Sequence, residues 1–160
     1  MTRYFEIEHL YQWGAPERRL RTIRDRLMVD AARDGDPLTE GEADAAYAAA
    51  LNAGIDGTCA FADSYIGKVA TLPLTSWTDA LRKMLAQICA LDLLAIVGIN
   101  ATSEANDALL VKRADDARRW LEFVAQGRVA AFWVDSTPGA VAVAIPYASD
   151  PPRRWSPWRC

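Results

Sequence analysis

Two aspartates, Asp56 and Asp63, lie seven residues apart, close to two helical turns, so a helix through them would carry both carboxylates on roughly one face. Paired carboxylates can divide the work of general acid and general base, but only when both reach the same substrate. This pair is too far apart along a helix to do so, and each is read as capping, pairing with an arginine or facing water. His9 is the only histidine, which removes a histidine relay and most metal sites, and its place on a short amphipathic stretch makes it a surface or interface residue. Asp34-Gly35-Asp36 with Glu40 and Glu42 loosely resembles a calcium loop. It lacks the regular ligand spacing and central glycine of an EF-hand, and Pro37 interrupts it. Gly54, Gly57 and Gly67 are no phosphate loop, since no Gly-Lys-Ser/Thr step follows. The three cysteines, Cys59, Cys89 and Cys160, are widely spaced, against both a disulfide framework and a zinc site. Cys59 and Cys89 fall on apolar helices and read as core thiols. The expectation is a protein without catalytic residues, metal or cofactor.

The elements that would hold these residues are mostly helical. A short helix over about Glu6 to Trp13 is stopped by Gly14-Ala15-Pro16. Pro16 suits the start of the next helix, where a missing N–H costs nothing. That helix presents Leu20, Ile23 and Leu27 on one face and a crowd of arginines on the other. Arg33-Asp34-Gly35-Asp36-Pro37 is a turn-rich loop. Thr39 with Glu42 forms a capping box, and Glu40, Glu42 and Asp44 suit the positive end of a helix dipole. Tyr47, Leu51, Ile55, Ala62 and Ile66 continue at helical spacing toward a stop at Gly67. Gly54 and Gly57 cost that helix roughly 1 kcal/mol each relative to alanine, a cost tolerated where another helix must approach. Ser76 with Asp79 reads as the next start, with Trp77, Leu81, Leu85, Ile88, Leu91 and Ala95 on one face. The run Leu91, Leu93, Leu94, Ile96 and Val97 makes this the most buried element, and Asp92 within it needs a partner. Ser103 with Glu104 and Asp107 starts the last helix, with Ala114, Ala117, Leu121 and Val124 inward and Gly127 at its end. Lys112–Asp116 and Asp115–Arg119 are spaced for ion pairs on its outer face.

Beyond Gly127 the material changes. Val129 to Val134 read as a short strand or turn, Ser136-Thr137-Pro138-Gly139 as a breaker, and Val141 to Ile145 as β-like. The last stretch, from Ser149, is proline-rich, basic and carries Trp155 and Trp158. Its prolines favour an extended geometry, and an aromatic, basic arm on a helical body reads as a docking element. The fold class expected is mostly α: a small bundle of four to five helices over 1–128, a short β-like or irregular segment over 129–148, and an extended C-terminal arm over 149–160. A chain of 160 residues suits one core. It contains no apolar run near the ~20 residues of a membrane span, and its start lacks a signal-peptide pattern, so it is expected in the cytoplasm when made. Net charge is -3, with five acids against one lysine over residues 39–75 and no basic stripe interleaved with aromatics. Tight nucleic-acid binding is not supported.

Several of these segments carry a family resemblance. His9-Leu10-Tyr11-Gln12-Trp13-Gly14, Asp63-Ser64-Tyr65-Ile66 followed by Leu72-Pro73-Leu74, the apolar helix from Leu81 to Leu94, and Trp120-Leu121 before Gly127-Arg128-Val129 together resemble the Mu gp36-like proteins of tailed phages. The likeness spans roughly residues 5–130. It departs at Val69-Ala70-Thr71, where members often carry an arginine and a second tyrosine, and at Trp155 and Trp158, where phenylalanines are usual.

The resemblance implies a virion protein at the head–tail junction: an adaptor or head-completion protein without enzymatic activity, assembled from host cytoplasm. Such an adaptor binds the portal protein as a ring, with twelve copies expected, contacts neighbouring copies and a tail-side stopper or terminator, and extends the channel through which DNA passes. On that reading Arg153, Arg154, Trp155, Trp158 and Arg159 are the portal-binding residues, and Glu40, Glu42 and Asp44 are candidate channel lining, since a conduit should not hold phosphates. Two other classes compete: a helical regulatory or protein-binding module, and a DNA-binding protein, for which the arginines between Arg18 and Arg26 would have to form a recognition face.

Overall fold

A computed structural model of the chain describes residues 3–99, 105–129 and 133–134. Five helices and two very short strands make up the described fold: α1 (Ile7–His9), α2 (Glu17–Asp34), α3 (Glu40–Ile66), β1 (Ser76–Trp77), α4 (Asp79–Ala95), α5 (Ala105–Ala125) and β2 (Trp133–Val134). The chain is thus mostly helical, as its composition and periodicity imply. A π-helical turn, Leu10–Gly14, continues α1 directly. It brings Gly14 so close to α4 that a Cβ there would stand 2.6 Å from the Ala86 carbonyl oxygen, so the residue must lack a side chain. His9 acts locally, its Nδ1 accepting a 3.1 Å hydrogen bond from the Glu6 N–H and closing a reciprocal cap at the start of α1.

The buried centre is α4, which packs against the π turn, α3 and α5. Leu81, Leu85, Ala86, Ile88, Cys89, Ala90, Leu93 and Leu94 are all buried, more of its circumference than a single stripe would cover. Onto it α3 lays Leu51, Ile55, Cys59, Ala62 and Ile66, and α5 lays Leu110, Ala117, Leu121 and Val124. Asp92 finds its partner in Arg118 at 2.6 Å, an ion pair that ties α4 to α5.

Several local expectations are corrected. Ser76 does not cap α4. It lies in β1, which pairs antiparallel with β2 (Ser76 with Val134, Trp77 with Trp133), and the residue before the helix is Thr78. Trp77 therefore belongs to the connection and not to a face of α4. Ala95 and Ile96 are exposed, because each lies two positions on from a buried leucine, Leu93 or Leu94, and so on the opposite side of the helix. Gly54 does make room for another helix, a Cβ there standing 2.8 Å from Leu93 Cδ2, but nothing lies within 4 Å of a Cβ at Gly57. Gly67 ends α3 in an ordinary right-handed conformation, φ -61, so its value lies in close packing against Leu72 and not in a left-handed cap. The left-handed stop is Gly35 after α2, at φ 89. On α5, Arg118 takes Asp115 at 3.6 Å, in place of the expected Arg119. Residues 103 and 104, the β-like Val141 to Ile145 and the whole C-terminal arm lie outside the described residues.

Candidate functional site

Asn52, Asp56, Cys59 and Asp63 recur every three or four residues along α3, so their side chains share one stripe. That stripe is covered by the start of the chain. Arg3 reaches Asp56 Oδ1 with Nε at 3.1 Å and Asn52 Oδ1 with Nη2 at 2.8 Å. The Tyr4 N–H donates to Cys59 Sγ at 3.4 Å, and the Tyr4 hydroxyl donates to the Asp63 carboxylate. From the other side Trp77 closes on Tyr4, its Nε1 donating to the Tyr4 carbonyl at 2.7 Å and the two rings meeting edge to face at 5.2 Å. Both aspartates therefore clamp an N-terminal strap. Burial, then the hydrogen bond and charge of Asp63, push the Tyr4 phenol above the ordinary tyrosine range. Arg3 and Tyr4 are separated from their partners on α3 by 49 to 59 positions, and no local pattern announces such a pairing.

The acidic start of α3 is also partly committed. Thr39 and Glu42 form the expected capping box: the Thr39 N–H and hydroxyl donate to Glu42 Oε2 at 2.8 and 2.7 Å, and the Glu42 N–H returns to Thr39 Oγ1 at 3.4 Å. Those bonds hold the Glu42 carboxyl below the usual carboxylate range. Asp44 pairs with Arg24 of α2, and Glu40 is exposed without a partner among the described residues.

Four of the six arginines of α2 are spent in the same manner. Arg21 pairs with Glu17 at 2.8 Å, Arg26 with Asp30 at 2.9 Å, Arg24 with Asp44 and Arg19 with Asp107. Intramolecular pairing leaves no row of free cations here for phosphates. Asp107 is only 3% exposed, so its pair with Arg19 is a buried ion pair fastening the first turn of α5 to the first turn of α2.

Beside that pair opens a cleft of about 570 Å³ between the π turn, α2 and α5. Pro16, Leu109 and Leu110 supply apolar surface, with Leu109 45% exposed, while Arg18 and Arg113 stand at its edge. Both arginines are exposed, and neither has an ion-pair partner among the described residues. Pro16, which precedes α2, provides no side-chain cap, so the positive end of that helix also faces this region. The free arginines are not legible as a pair in the sequence, being 95 positions apart.

Cys59 and Cys89 are buried as expected; burial, the dominant cause in each case, raises both thiols, Cys89 being pushed up to about 12. Among the described residues no group of histidine, cysteine and carboxylate side chains could hold a metal ion, and no helix is long and apolar enough to cross a membrane. The arm residues Arg153, Arg154, Trp155, Trp158 and Arg159 lie outside the described residues.

A helical body with a capped acidic helix, a strapped N-terminus and a proline turn at Leu72-Pro73-Leu74 is the arrangement on which the comparison with known families bears. The family model described as Bacteriophage Mu, Gp36 matches residues 4–140. That is most of the chain, which therefore belongs to this family of phage proteins. No curated protein and no solved structure matches it.

Proposed function

We propose that this phage protein is a non-enzymatic virion component at the head–tail junction, an adaptor that binds the portal as a ring and extends the DNA channel toward the tail. The observation that carries the reading is membership of the Mu Gp36 family over residues 4–140. The structure supports it in two ways. The carboxylates and thiols that could have served catalysis are committed to holding the fold. The arginines that could have gripped DNA are largely neutralised by neighbouring acids, which suits a conduit through which DNA slides. In this reading Glu40, Glu42 and Asp44 face the channel, and the arm from Ser149, with Arg153, Arg154, Trp155, Trp158 and Arg159, grips the portal. A tail-side stopper or terminator would close the opposite face.

Deletion of residues 149–160 tests the arm. The truncated chain should keep its helical circular-dichroism signal and lose portal binding in a pull-down; undiminished binding would refute the arm's role. Reconstruction of a particle tests the whole reading, which fails if the chain is absent from the head–tail junction.

A further inference from the structure

Helix α2 carries charge at both ends in the sense opposite to the one its own dipole favours. A helix prefers acids at its N-terminus and bases at its C-terminus, each such charge contributing about 0.3–1 kcal/mol. Here the first turn holds Arg18 and Arg19 beside a single acid, Glu17. At the other end, Asp34 and Asp36 flank the left-handed Gly35, with Arg33 the single base of the last turn. Arg19 and Glu17 are neutralised internally, by Asp107 and Arg21. What remains without an ion pair among the described residues is Arg18, joined across the cleft by Arg113, at one pole, Asp25 along the helix, and at the other pole Asp34 and Asp36 with Arg33, a turn that is negative on balance.

The two poles are complementary in charge, and each carries apolar surface. The basic pole is a cleft of about 570 Å³ whose apolar wall includes the half-exposed Leu109. The acidic pole is a turn in which exposed Asp34, Asp36 and Pro37 lead to half-buried Leu38. An 18-residue helix separates them by about 27 Å, so one chain cannot bring its own turn into its own cleft. A second copy can.

We propose that the α2–α3 turn of one copy docks in the Arg18/Arg113 cleft of the next, with Asp34 and Asp36 against the arginines and Pro37–Leu38 against Leu109. The contact is heterologous: each copy offers one turn and one cleft, so copies add head to tail and close into a ring if the rotation permits. It rests on the ring reading above and supplies the surface that reading lacks. Two other occupants fit less well. The C-terminal arm is basic and would be repelled by the arginines, and duplex DNA would find two free cations backed by an apolar wall, against the rows of cations that phosphate tracking needs.

Sedimentation velocity on the full chain at about 50 mM salt, where screening is weak, tests the contact. The wild-type chain should associate as its concentration rises and dissociate when salt is added. Arg18→Gln with Arg113→Gln, and separately Asp34→Lys with Asp36→Lys, should each weaken association at least tenfold with the helical signal unchanged. An equimolar mixture of the two variants should form one-to-one dimers and stop there, because one intact turn and one intact cleft remain between them. A wild-type chain that stays monomeric, variants that associate like wild type, a mixture that stays monomeric, or arginines needed for duplex DNA binding and not for self-association would each overturn the proposal. A particle ring whose contacts lie elsewhere overturns this contact and leaves the adaptor reading standing. Charge-dependent association of a chain missing from particles does the reverse.

Discussion

Alanine substitution at Gly54 and Gly57, three residues apart on α3, should move stability in opposite directions. Each replacement removes the entropic cost of a helical glycine, a gain of about 0.5–1 kcal/mol. At Gly57 nothing opposes the gain, since no atom lies within 4 Å of the new Cβ. At Gly54 the Cβ would stand 2.8 Å from Leu93 Cδ2 and 3.0 Å from its Cγ, and Leu93 is only 3% exposed, so it has little room to retreat. Forcing a methyl into such a contact costs about 1–3 kcal/mol. The net expectation is about 0.5–1 kcal/mol of stabilisation for Gly57→Ala and between zero and about 2.5 kcal/mol of destabilisation for Gly54→Ala. For a chain of this size 1 kcal/mol corresponds to about 2–4 °C in Tm, so calorimetry separates the two variants readily. Adding Leu93→Ala supplies the internal control. Alone it costs about 2–5 kcal/mol, but combined with Gly54→Ala it should cost less than the sum, with a coupling above about 0.5 kcal/mol, because the new methyl enters the vacated space. If Gly54→Ala stabilised as much as Gly57→Ala and showed no coupling to Leu93, the close approach of α3 and α4 would be refuted.

Three further outcomes are expected. Gly14→Ala should destabilise by about 1–3 kcal/mol or more in urea titrations, since its Cβ would meet the Ala86 carbonyl oxygen at 2.6 Å and backbone of a buried helix cannot swing aside; a wild-type midpoint would refute the packing of the π turn on α4. Arg19→Ala should cost about 3 kcal/mol by the same titration, because it removes the cation paired with the buried Asp107, whereas Arg21→Ala, removing an exposed pair, should cost far less; equal costs would refute that contrast. Tyr4 and Tyr47 lose their phenolic protons less readily in the folded chain, so the unfolded chain ionises first, and stability is whole below about pH 10, the ordinary tyrosine value, and falls as pH rises above it. The buried thiols contribute in the same sense from about pH 9. Tyr4→Phe should shallow the alkaline slope of the urea midpoint, and an unchanged slope would show that Tyr4 is not held in its neutral form.

Local signals are legible because they act over one or two helical turns. The Thr39–Glu42 box forms, Leu51, Ile55, Ala62 and Ile66 turn inward, and so do Ala114, Ala117, Leu121 and Val124. Asp92 reads as an acid on an apolar helix in need of a cation, but its partner Arg118 cannot be named from the pattern, because the choice among the arginines of α5 depends on how two helices cross. The strap is invisible for the same reason: Arg3 and Tyr4 are ordinary residues until α3 presents Asn52, Asp56, Cys59 and Asp63 to them as one stripe. Ser76 shows the converse failure. Ser-x-x-Asp is an adequate helix-start pattern, and tertiary pairing of Ser76-Trp77 with Trp133-Val134 overrides it.

Long-range pairing also changes what the acidic segment can contribute to a channel. In sequence Glu40, Glu42 and Asp44 look like three equivalent negative charges. In the fold Asp44 is cancelled by Arg24, while Glu42, with its carboxyl held below the usual range by Thr39, stays ionised over a wider span of pH than an ordinary glutamate. Each copy would then present a net charge from Glu40 and Glu42 alone. At physiological salt such charges act over about 8 Å, so they repel phosphate only where the wall comes within a few water layers of the duplex. Slipperiness in the proposed ring therefore depends less on a strong negative field than on the absence of free arginine along the wall. On α2 one acid per arginine neutralises Arg19, Arg21, Arg24 and Arg26, leaving Arg18 and Arg33, near its two ends, without an ion pair among the described residues.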